Sequence, residues 1–331
     1  QIMLPLGAKV VQPKLKTAKC FAKPTTAQKG INKSLIIKLK VNMGNIATSV
    51  EAQIRILKER GLLIENDQKA VENLLDIGYY RLGFYFYYFQ NPLTHNFEEN
   101  VRLDDIIDLY YFDFDIKMLL LRYIYRIEVH FRTQLVYHTS NLYSTNNVWY
   151  NDPKIVNNDI LKEFNNIYYN LKTNNNTLVK HHTKYPGDAF APAWKVFEFF
   201  TFGQTFKFFS NLKNVELKKK IAGVYGFRDV SLLNNYFISI INIRNICSHN
   251  AVLYDFNQPV GIKRIPNLKY RFKTSNTTNL NASIRLLLYL LSKVSHNRAD
   301  ELERDLKAEF EKGKSKILVN RIIKSKIKFD L

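Results

Sequence analysis

The stretch from Leu103 to about Tyr143 constrains the fold more than any other part of the chain. Its apolar side chains recur at helical spacing, which predicts one long helix or two helices in series. The periodic positions include Ile106, Ile107, Leu109, Tyr110, Leu119, Leu120, Ile124, Ile127 and Phe131. The 331 residues contain only 12 glycines and 9 prolines, which argues against a turn-rich β-sandwich. The sequence therefore predicts an all-α protein.

Start and stop signals predict further helices on both sides of this stretch. Ser49 is placed to cap a helix that ends at Gly61, and Asp67 to cap a second helix that ends at Gly78. Pro192 opens another helix. Helices are also expected at 215–225, 231–247, 280–295 and 298–312, with polar connections at 146–158 and 174–176. The aromatic run at 79–89 is interpreted first as buried packing and second as a base-stacking platform.

The positive charge is concentrated at the two ends of the chain. The formal net charge is +20; residues 1–50 hold nine lysines and no acidic residue, and 313–331 hold six Lys or Arg against one Asp. We therefore predict a basic N-terminal extension (1–47), a helical domain (48–312) and a basic C-terminal helix or tail (313–331). Each charge run can be a solvated tail, but two of them around one domain favour polyanion binding, with RNA as the expected partner.

Composition and motif searches exclude several classes of protein. The chain has 2 cysteines, which is too few for a disulfide framework, so a reducing cytoplasmic setting is expected. No apolar stretch is long enough to span a membrane, and no secretory signal is expected. P-loop, dinucleotide and paired-cysteine zinc motifs are missing, and His181-His182 has no further ligand nearby. We expect no metal and no cofactor.

The hexapeptide at 244–249, Arg-Asn-Ile-Cys-Ser-His, offers a chemistry suited to RNA. Arg244 can clamp a phosphate and His249 can carry a proton near neutral pH, while Asn245 can orient either group. Cys247 is interpreted as a small buried residue. On a straight helix Arg244 and His249 would not share a stripe, so the motif needs a bend or a helix end near Ser248. From spacing alone, an Arg–carboxylate pair and a helix-capping His remain the alternative interpretation.

A second arginine–histidine set lies in the long periodic stretch. Arg132 and His138 are preceded by Glu128 and His130. Glu128 and Arg132 are i, i+4 neighbours, so an ion pair is the simpler explanation for them. Two such sets in one chain would nevertheless supply both an acid and a base.

Ordered blocks between Ser49 and about Ala308 resemble the Abi-like (AbiD/AbiF) abortive-infection proteins of bacteria. The blocks are 50–54 with 60–62, 77–82, 127–129 with 132–133, 192–198 with 202–203, and 244–250 with 253–254. This family is assigned to the HEPN superfamily of helical proteins, in which an Arg-x4–6-His motif marks metal-independent ribonucleases. The resemblance implies an HEPN-like helical bundle with additional helices and basic terminal arms. It also implies catalytic roles for Arg244, Asn245 and His249, and for Arg132 and His138.

The resemblance implies a phage-defence toxin that cleaves RNA, with a cognate non-coding RNA as a further partner. Two other functions stay open, a non-catalytic RNA-binding protein and a helical adaptor that senses phage protein. If the two arginine–histidine sets do not meet within one chain, a homodimer is needed. The expected RNA-binding residues are Lys14, Lys16, Lys38, Lys40, Tyr79, Tyr80, Arg81, Lys316, Arg321, Lys324 and Lys326.

Overall fold

A single 40-residue helix, Leu103–Leu142, runs through the domain. At a rise of 1.5 Å per residue it is about 60 Å long. The computed structural model describes residues 47–249, 251–272 and 275–330. Within these residues the predicted all-α class is confirmed, and the long periodic stretch forms one helix rather than two. The predicted N-terminal extension, with Lys14, Lys16, Lys38 and Lys40, lies outside the described residues except for Ala47.

The helices are numbered here in chain order. They are α1 (Val50–Glu59), α2 (Asp67–Asp76), α3 (Tyr79–Phe86), α4 (Leu103–Leu142), α5 (Asn158–Asn174), α6 (Asn176–Lys184), α7 (Ala193–Val196), α8 (Phe202–Asn211), α9 (Val215–Val224), α10 (Val230–Ser248), α11 (Leu280–Val294), α12 (His296–Lys314) and α13 (Ile317–Ile322). Short 3-10 turns occur at Tyr87–Phe89, Trp149–Asn151, Phe197–Phe199 and Leu268–Tyr270, and a π-helical turn at Ile323–Ile327 follows α13.

The first two helices begin close to the positions that the sequence predicts. The Ser49 side chain accepts a hydrogen bond from the N–H of Ala52, as expected for the cap of α1. The cap of α2 is Asn66 and not Asp67, because Asn66 has the extended backbone from which its side chain can accept from the N–H of Lys69. Helix α2 also ends at Asp76, two residues before the predicted stop at Gly78.

Helices α10, α11, α12 and α13 pack along α4. The most enclosed of them is α11, in which every residue from Leu280 to Ser292 is buried. A helix that is apolar on all sides lies inside a core, and here α11 lies between α4, α10 and α12. Its one buried charge, Arg285, donates to the Asp330 carboxylate at 2.5 and 3.0 Å.

The C-terminal segment packs onto the domain as α13 and the π-helical turn. Its apolar side chains are buried, namely Leu318, Val319, Ile322, Ile323 and Ile327. The predicted basic C-terminal helix is thus amphipathic, with lysines and an arginine on its outer side. No helix in the described ranges is long and apolar enough to cross a membrane.

Candidate functional site

The predicted arginine–histidine motif lies at the C-terminal end of α10. The helix ends at Ser248, whose hydroxyl donates to the carbonyl of Arg244 at 2.9 Å. His249 has extended backbone, with φ −114° and ψ 176°, and its N–H donates to the carbonyl of Asn245 at 3.0 Å. The helix end that the motif needs is therefore present where the sequence places it.

The side chains of this motif divide between solvent and core. Asn245 and His249 are exposed, and the Arg244 side chain retains 29% of its accessible surface. Cys247 is buried, and burial raises the pKa of its thiol to about 12. A thiol with that pKa stays protonated at neutral pH and is a poor nucleophile. The reactive groups available at this end of α10 are thus a guanidinium, an amide and an imidazole.

Glu128 on α4 connects the two predicted arginines. Its carboxylate accepts a hydrogen bond from Arg132 at 2.9 Å, which confirms the predicted i, i+4 ion pair, and its other oxygen is 3.9 Å from Nε of Arg244. Arg132 also donates to the carbonyl of Phe200 at 3.0 Å. Glu128 and Arg132 are both buried, whereas Arg244 reaches them from the surface. The structure therefore brings Arg132 and Arg244 to the same carboxylate.

This cluster carries a net positive charge. Two guanidiniums share one carboxylate, and Arg132 already holds it with a charge-assisted hydrogen bond. In the described part of the chain, the Arg244 side chain donates no hydrogen bond, because 3.9 Å is too long for one. Its fork of donors is thus available to an anion that approaches from solvent.

The second predicted histidine is placed elsewhere. His138 lies ten residues after Glu128 on α4, which is about 15 Å along the helix axis. Its ring contacts the ring of Tyr137. The pKa of His138 is lowered, mainly by burial and to a smaller extent by the positive charge of Lys220. No contact between His138 and the Arg244 cluster is found among the described residues.

His130 lies on α4 closer to Glu128, but a partner inside the domain holds it. Its Nδ1 is 2.9 Å from the hydroxyl of Tyr225, and burial with the charge of Arg126 lowers its pKa.

A buried acid that the sequence analysis did not single out anchors the chain beyond His249. Asp113 accepts hydrogen bonds from the N–H groups of Leu253 and Tyr254 at 2.9 and 3.0 Å, and from the hydroxyl of Tyr85 at 2.9 Å. Lys117, one turn along α4, lies 2.7 Å from it. The sequence feature that could have identified this pair is an Asp and a Lys at i, i+4 spacing within an apolar stripe, since buried charges must be paired. This network ties the segment after the motif to α4.

The aromatic segment at 79–89 is only partly buried. Leu82, Tyr85, Phe86 and Phe89 are in the core. Of the predicted RNA-binding residues in this segment, Tyr79 packs partly buried against the core, Tyr80 is 83% exposed and Arg81 is half-buried. The prediction of buried packing thus holds for one side of α3, while Tyr80 remains free to meet a planar ligand.

Most of the predicted RNA-binding residues near the C-terminus hold carboxylates of the domain. Lys316 pairs with Asp108 at 3.2 Å, Arg321 with Glu98 at 2.5 Å, and Lys326 with Asp255 at 3.0 Å. Lys324 is exposed. Because these pairs reduce the charge available to RNA, the C-terminal segment has less free positive charge than its sequence suggests.

The described residues contain no group of His, Cys, Asp and Glu that could hold a metal ion. His181 interacts with Lys195 and Asp188, and His182 with the hydroxyl of Tyr168. These two histidines are therefore engaged with protein partners.

Comparisons with known proteins agree with the resemblance carried by these residues. The model of a family described as Abi-like protein matches residues 72–255. The matched range includes α3 to α10 and all the residues of the cluster at Glu128. Searches of curated proteins and of solved structures gave no match.

Proposed function

Because this chain belongs to the Abi-like protein family, which indicates a role in abortive infection and phage defence, we propose that it is a metal-independent endoribonuclease. The proposed reaction is attack of a ribose 2′-hydroxyl on the adjacent phosphorus. It breaks the bond from phosphorus to the 5′-oxygen and leaves a 2′,3′-cyclic phosphate and a 5′-hydroxyl. RNA is the substrate, and growth arrest of the infected cell is the biological result.

One observation carries the proposal. Arg244 holds an uncommitted guanidinium next to solvent, at a helix end that also exposes His249 and Asn245. Glu128 orients this guanidinium without using its donors, and Arg132 balances the charge of Glu128. An anion with several oxygens that approaches this end of α10 meets a fixed positive charge with free donors.

Each group has a distinct role in the proposed reaction. His249 takes the proton from the 2′-hydroxyl or gives one to the departing 5′-oxygen, because imidazole can do either near neutral pH. Arg244 stabilises the charge that builds up on the phosphorane oxygens. Asn245 donates an amide N–H to a phosphate oxygen or to the imidazole. Arg132 acts through Glu128 and is a positioning residue.

The reaction needs a second proton carrier, and this favours a homodimer. Within the described residues, His138 makes no contact with Arg244 or His249, and His130 is held by Tyr225. A second copy related by a two-fold axis would bring a second His249 to the same site. We therefore expect the active species to have twice the 38.9 kDa mass of the chain, measurable by light scattering.

The direct test compares histidine variants on labelled single-stranded RNA in the presence of a chelator. His249→Ala should lower the cleavage rate by about 10²- to 10⁴-fold, because it removes a general acid or base. His95→Asn is a control, since this histidine is also exposed but lies between α3 and α4, and asparagine tolerates its φ of 60°. The cleaved ends should carry 2′,3′-cyclic phosphate and 5′-hydroxyl groups. Equal cleavage by His249→Ala and the parent, or cleavage that the chelator abolishes, would refute the assignment.

Control of this site by a cognate non-coding RNA is a further part of the proposal. A bound RNA whose phosphate occupies Arg244 would exclude the substrate. Sequencing the RNA that co-purifies with the His249→Ala protein tests this, and a random mixture of cellular fragments would contradict it. An RNA that binds with no cleavage under any condition would favour the alternative, a non-catalytic RNA-binding protein.

A further inference from the structure

The outer side of α4 carries a groove that the candidate site does not use. The groove has a volume of about 630 Å³. Arg122, Tyr125 and Arg126 line it from α4, and Arg298 lines it from the start of α12. Three of its seven lining residues are arginines, and none is acidic.

Two of these arginines have no carboxylate to neutralise them. Arg298 pairs with Glu301 at 2.6 Å. Arg122 lies over the ring of Tyr123 at 5.3 Å, and neither Arg122 nor Arg126 forms an ion pair with another described residue. Both are exposed, and they are one helical turn apart on the same side of α4. The groove thus presents two free positive charges side by side.

The charge of this face changes sign further along α4. The neighbouring cavity shares Arg122 but is lined by three carboxylates, Asp115, Asp305 and Glu309, against one further cation, Lys312. An anionic ligand is therefore attracted more strongly to the end at Arg122 and Arg126, where no carboxylate lines the groove. The ligand-binding part of the groove is therefore confined to the half that lies toward Val129.

This half of the groove lies at the same level of α4 as the candidate site, but on a neighbouring face of the helix, because successive side chains point about 100° apart. Val129, which lines the groove, directly follows Glu128, the carboxylate that orients Arg244. Along the helix axis, Arg126 is about 3 Å and Arg122 about 9 Å from the level of Glu128. Tyr125, which is 63% exposed, offers an aromatic face at the same place. A polyanion held at Arg244 therefore has to turn around α4 to enter the groove, which a flexible single strand can do within a few nucleotides.

We propose that the groove between Arg122, Arg126 and Arg298 binds the backbone of single-stranded RNA next to the cleavage site. Arg122 and Arg126 each hold a phosphate, and one base stacks on Tyr125. The inference rests on the proposed function for the identity of the ligand, but its test measures binding and does not require cleavage. A mixed arrangement of paired phosphate contacts and an aromatic face is typical of single-strand binding.

The experiment measures binding of a fluorescein-labelled oligouridylate of about 12 nucleotides by anisotropy at several salt concentrations. His249→Ala protein is used throughout so that no RNA is lost to cleavage. In this background, the double variant Arg122→Ala and Arg126→Ala should raise Kd by about tenfold or more. It should also reduce the magnitude of the slope of log K against log salt by about 1.4, because each phosphate contact to a single strand contributes about 0.7. Arg55→Ala with Arg228→Ala is the matched control, because both residues are exposed and lie on other parts of the domain. We expect the control to change Kd by less than about twofold.

Two further measurements separate the groove from its alternatives. Tyr125→Leu should weaken oligouridylate binding by about tenfold without changing the salt slope, because stacking involves no counterion release. With His249 restored, cleavage of a dinucleotide should be unaffected by Arg122→Ala with Arg126→Ala, since a dinucleotide reaches only the end of α10. Cleavage of the longer RNA should fall.

The outcomes distinguish failure of the groove from failure of the nuclease. Unchanged Kd and salt slope in the double arginine variant would overturn the groove even if the parent protein cleaves RNA. A parent protein that binds oligouridylate through the groove but never cleaves it would leave the groove supported and refute the nuclease. If the double variant loses binding of ATP but not of oligouridylate, the groove is a mononucleotide site and the proposal is wrong.

Discussion

Replacement of Arg132 should separate its role in the fold from a role in chemistry. Arg132 is buried, donates to Glu128 at 2.9 Å and to the carbonyl of Phe200 at 3.0 Å, and joins α4 to the turn before α8. Arg132→Ala would leave the buried carboxylate of Glu128 with only the 3.9 Å approach of Arg244. Removing one partner of a buried ion pair costs about 3–5 kcal/mol. That is a large share of the roughly 5–15 kcal/mol that stabilises a typical protein.

Arg244→Ala should have a much smaller effect on stability. Its side chain is partly exposed and makes no hydrogen bond within the described residues, so we expect a loss below about 1 kcal/mol. The same substitution should abolish the proposed cleavage. Arg132 and Arg244 thus share one carboxylate, but loss of Arg132 should lower the unfolding free energy, whereas loss of Arg244 should lower the cleavage rate.

Urea unfolding followed by circular dichroism gives the comparison. With a slope of about 3 kcal/mol per molar urea, Arg132→Ala should lower the midpoint by about 1 M or more. Lys307→Ala is a control at equal spacing, since Lys307 is exposed and its i, i+4 partner Glu303 on α12 keeps a second cation, Lys269. Its cost should be about 0.5 kcal/mol or less. If Arg132→Ala unfolds at the same midpoint as Lys307→Ala, the buried pair does not stabilise the domain and the reasoning fails.

Three other predictions concern packing, thiol reactivity and pH. Gly313→Ala should destabilise the domain by about 1–3 kcal/mol in the same unfolding assay, because the added Cβ would lie 2.8 Å from the ring of Phe112. The control is Gly83→Ala on α3, where the added Cβ meets no neighbour, so this variant should be neutral or slightly stabilising. Cys247 should resist alkylation at pH 8 in the folded protein and react after unfolding, as peptide mass spectrometry would show, because burial raises its pKa to about 12. Burial lowers the pKa of His130 in the folded protein, so as pH falls below about 6.5 a proton binds this imidazole in the unfolded state before it does in the folded state. Acid therefore destabilises the parent protein through His130. Between about pH 6.5 and pH 5 the urea midpoint should fall less steeply in His130→Gln than in the parent.

Most of the helices follow from local patterns in the chain, although α5 and α6 were not predicted. The apolar period alone predicts that α4 is helical, because a 3.6-residue repeat has no other regular way to bury one face, but it left one helix or two in series open. Helix ends are less certain, since neighbouring polar residues compete for one cap. Asn66 and Asp67 can both accept a backbone hydrogen bond, and only the backbone angles of Asn66 select it. The sequence also predicted the end of α10 near Ser248 because the arginine–histidine motif requires one.

The roles of the charged residues depend on how the helices pack. From the sequence, Arg132 and Arg244 are both catalytic candidates, each followed by a histidine, although the ion pair with Glu128 is the simpler explanation for Arg132. The structure makes Arg132 a buried partner of Glu128 and leaves Arg244 at the surface, and among the described residues no hydrogen bond or ion pair joins His138 to either arginine.

The chain by itself determined where the helices form and that an arginine and a histidine stand at the end of one of them, because capping and hydrophobic period act between residues close in sequence. Only the tertiary structure decided that Glu128 also meets Arg244, that Asp113 holds the backbone at Leu253, and that Asp330 neutralises buried Arg285. Such contacts join residues far apart in the chain. Their charges are stabilised in the core only where packing brings them into contact, which no local pattern encodes.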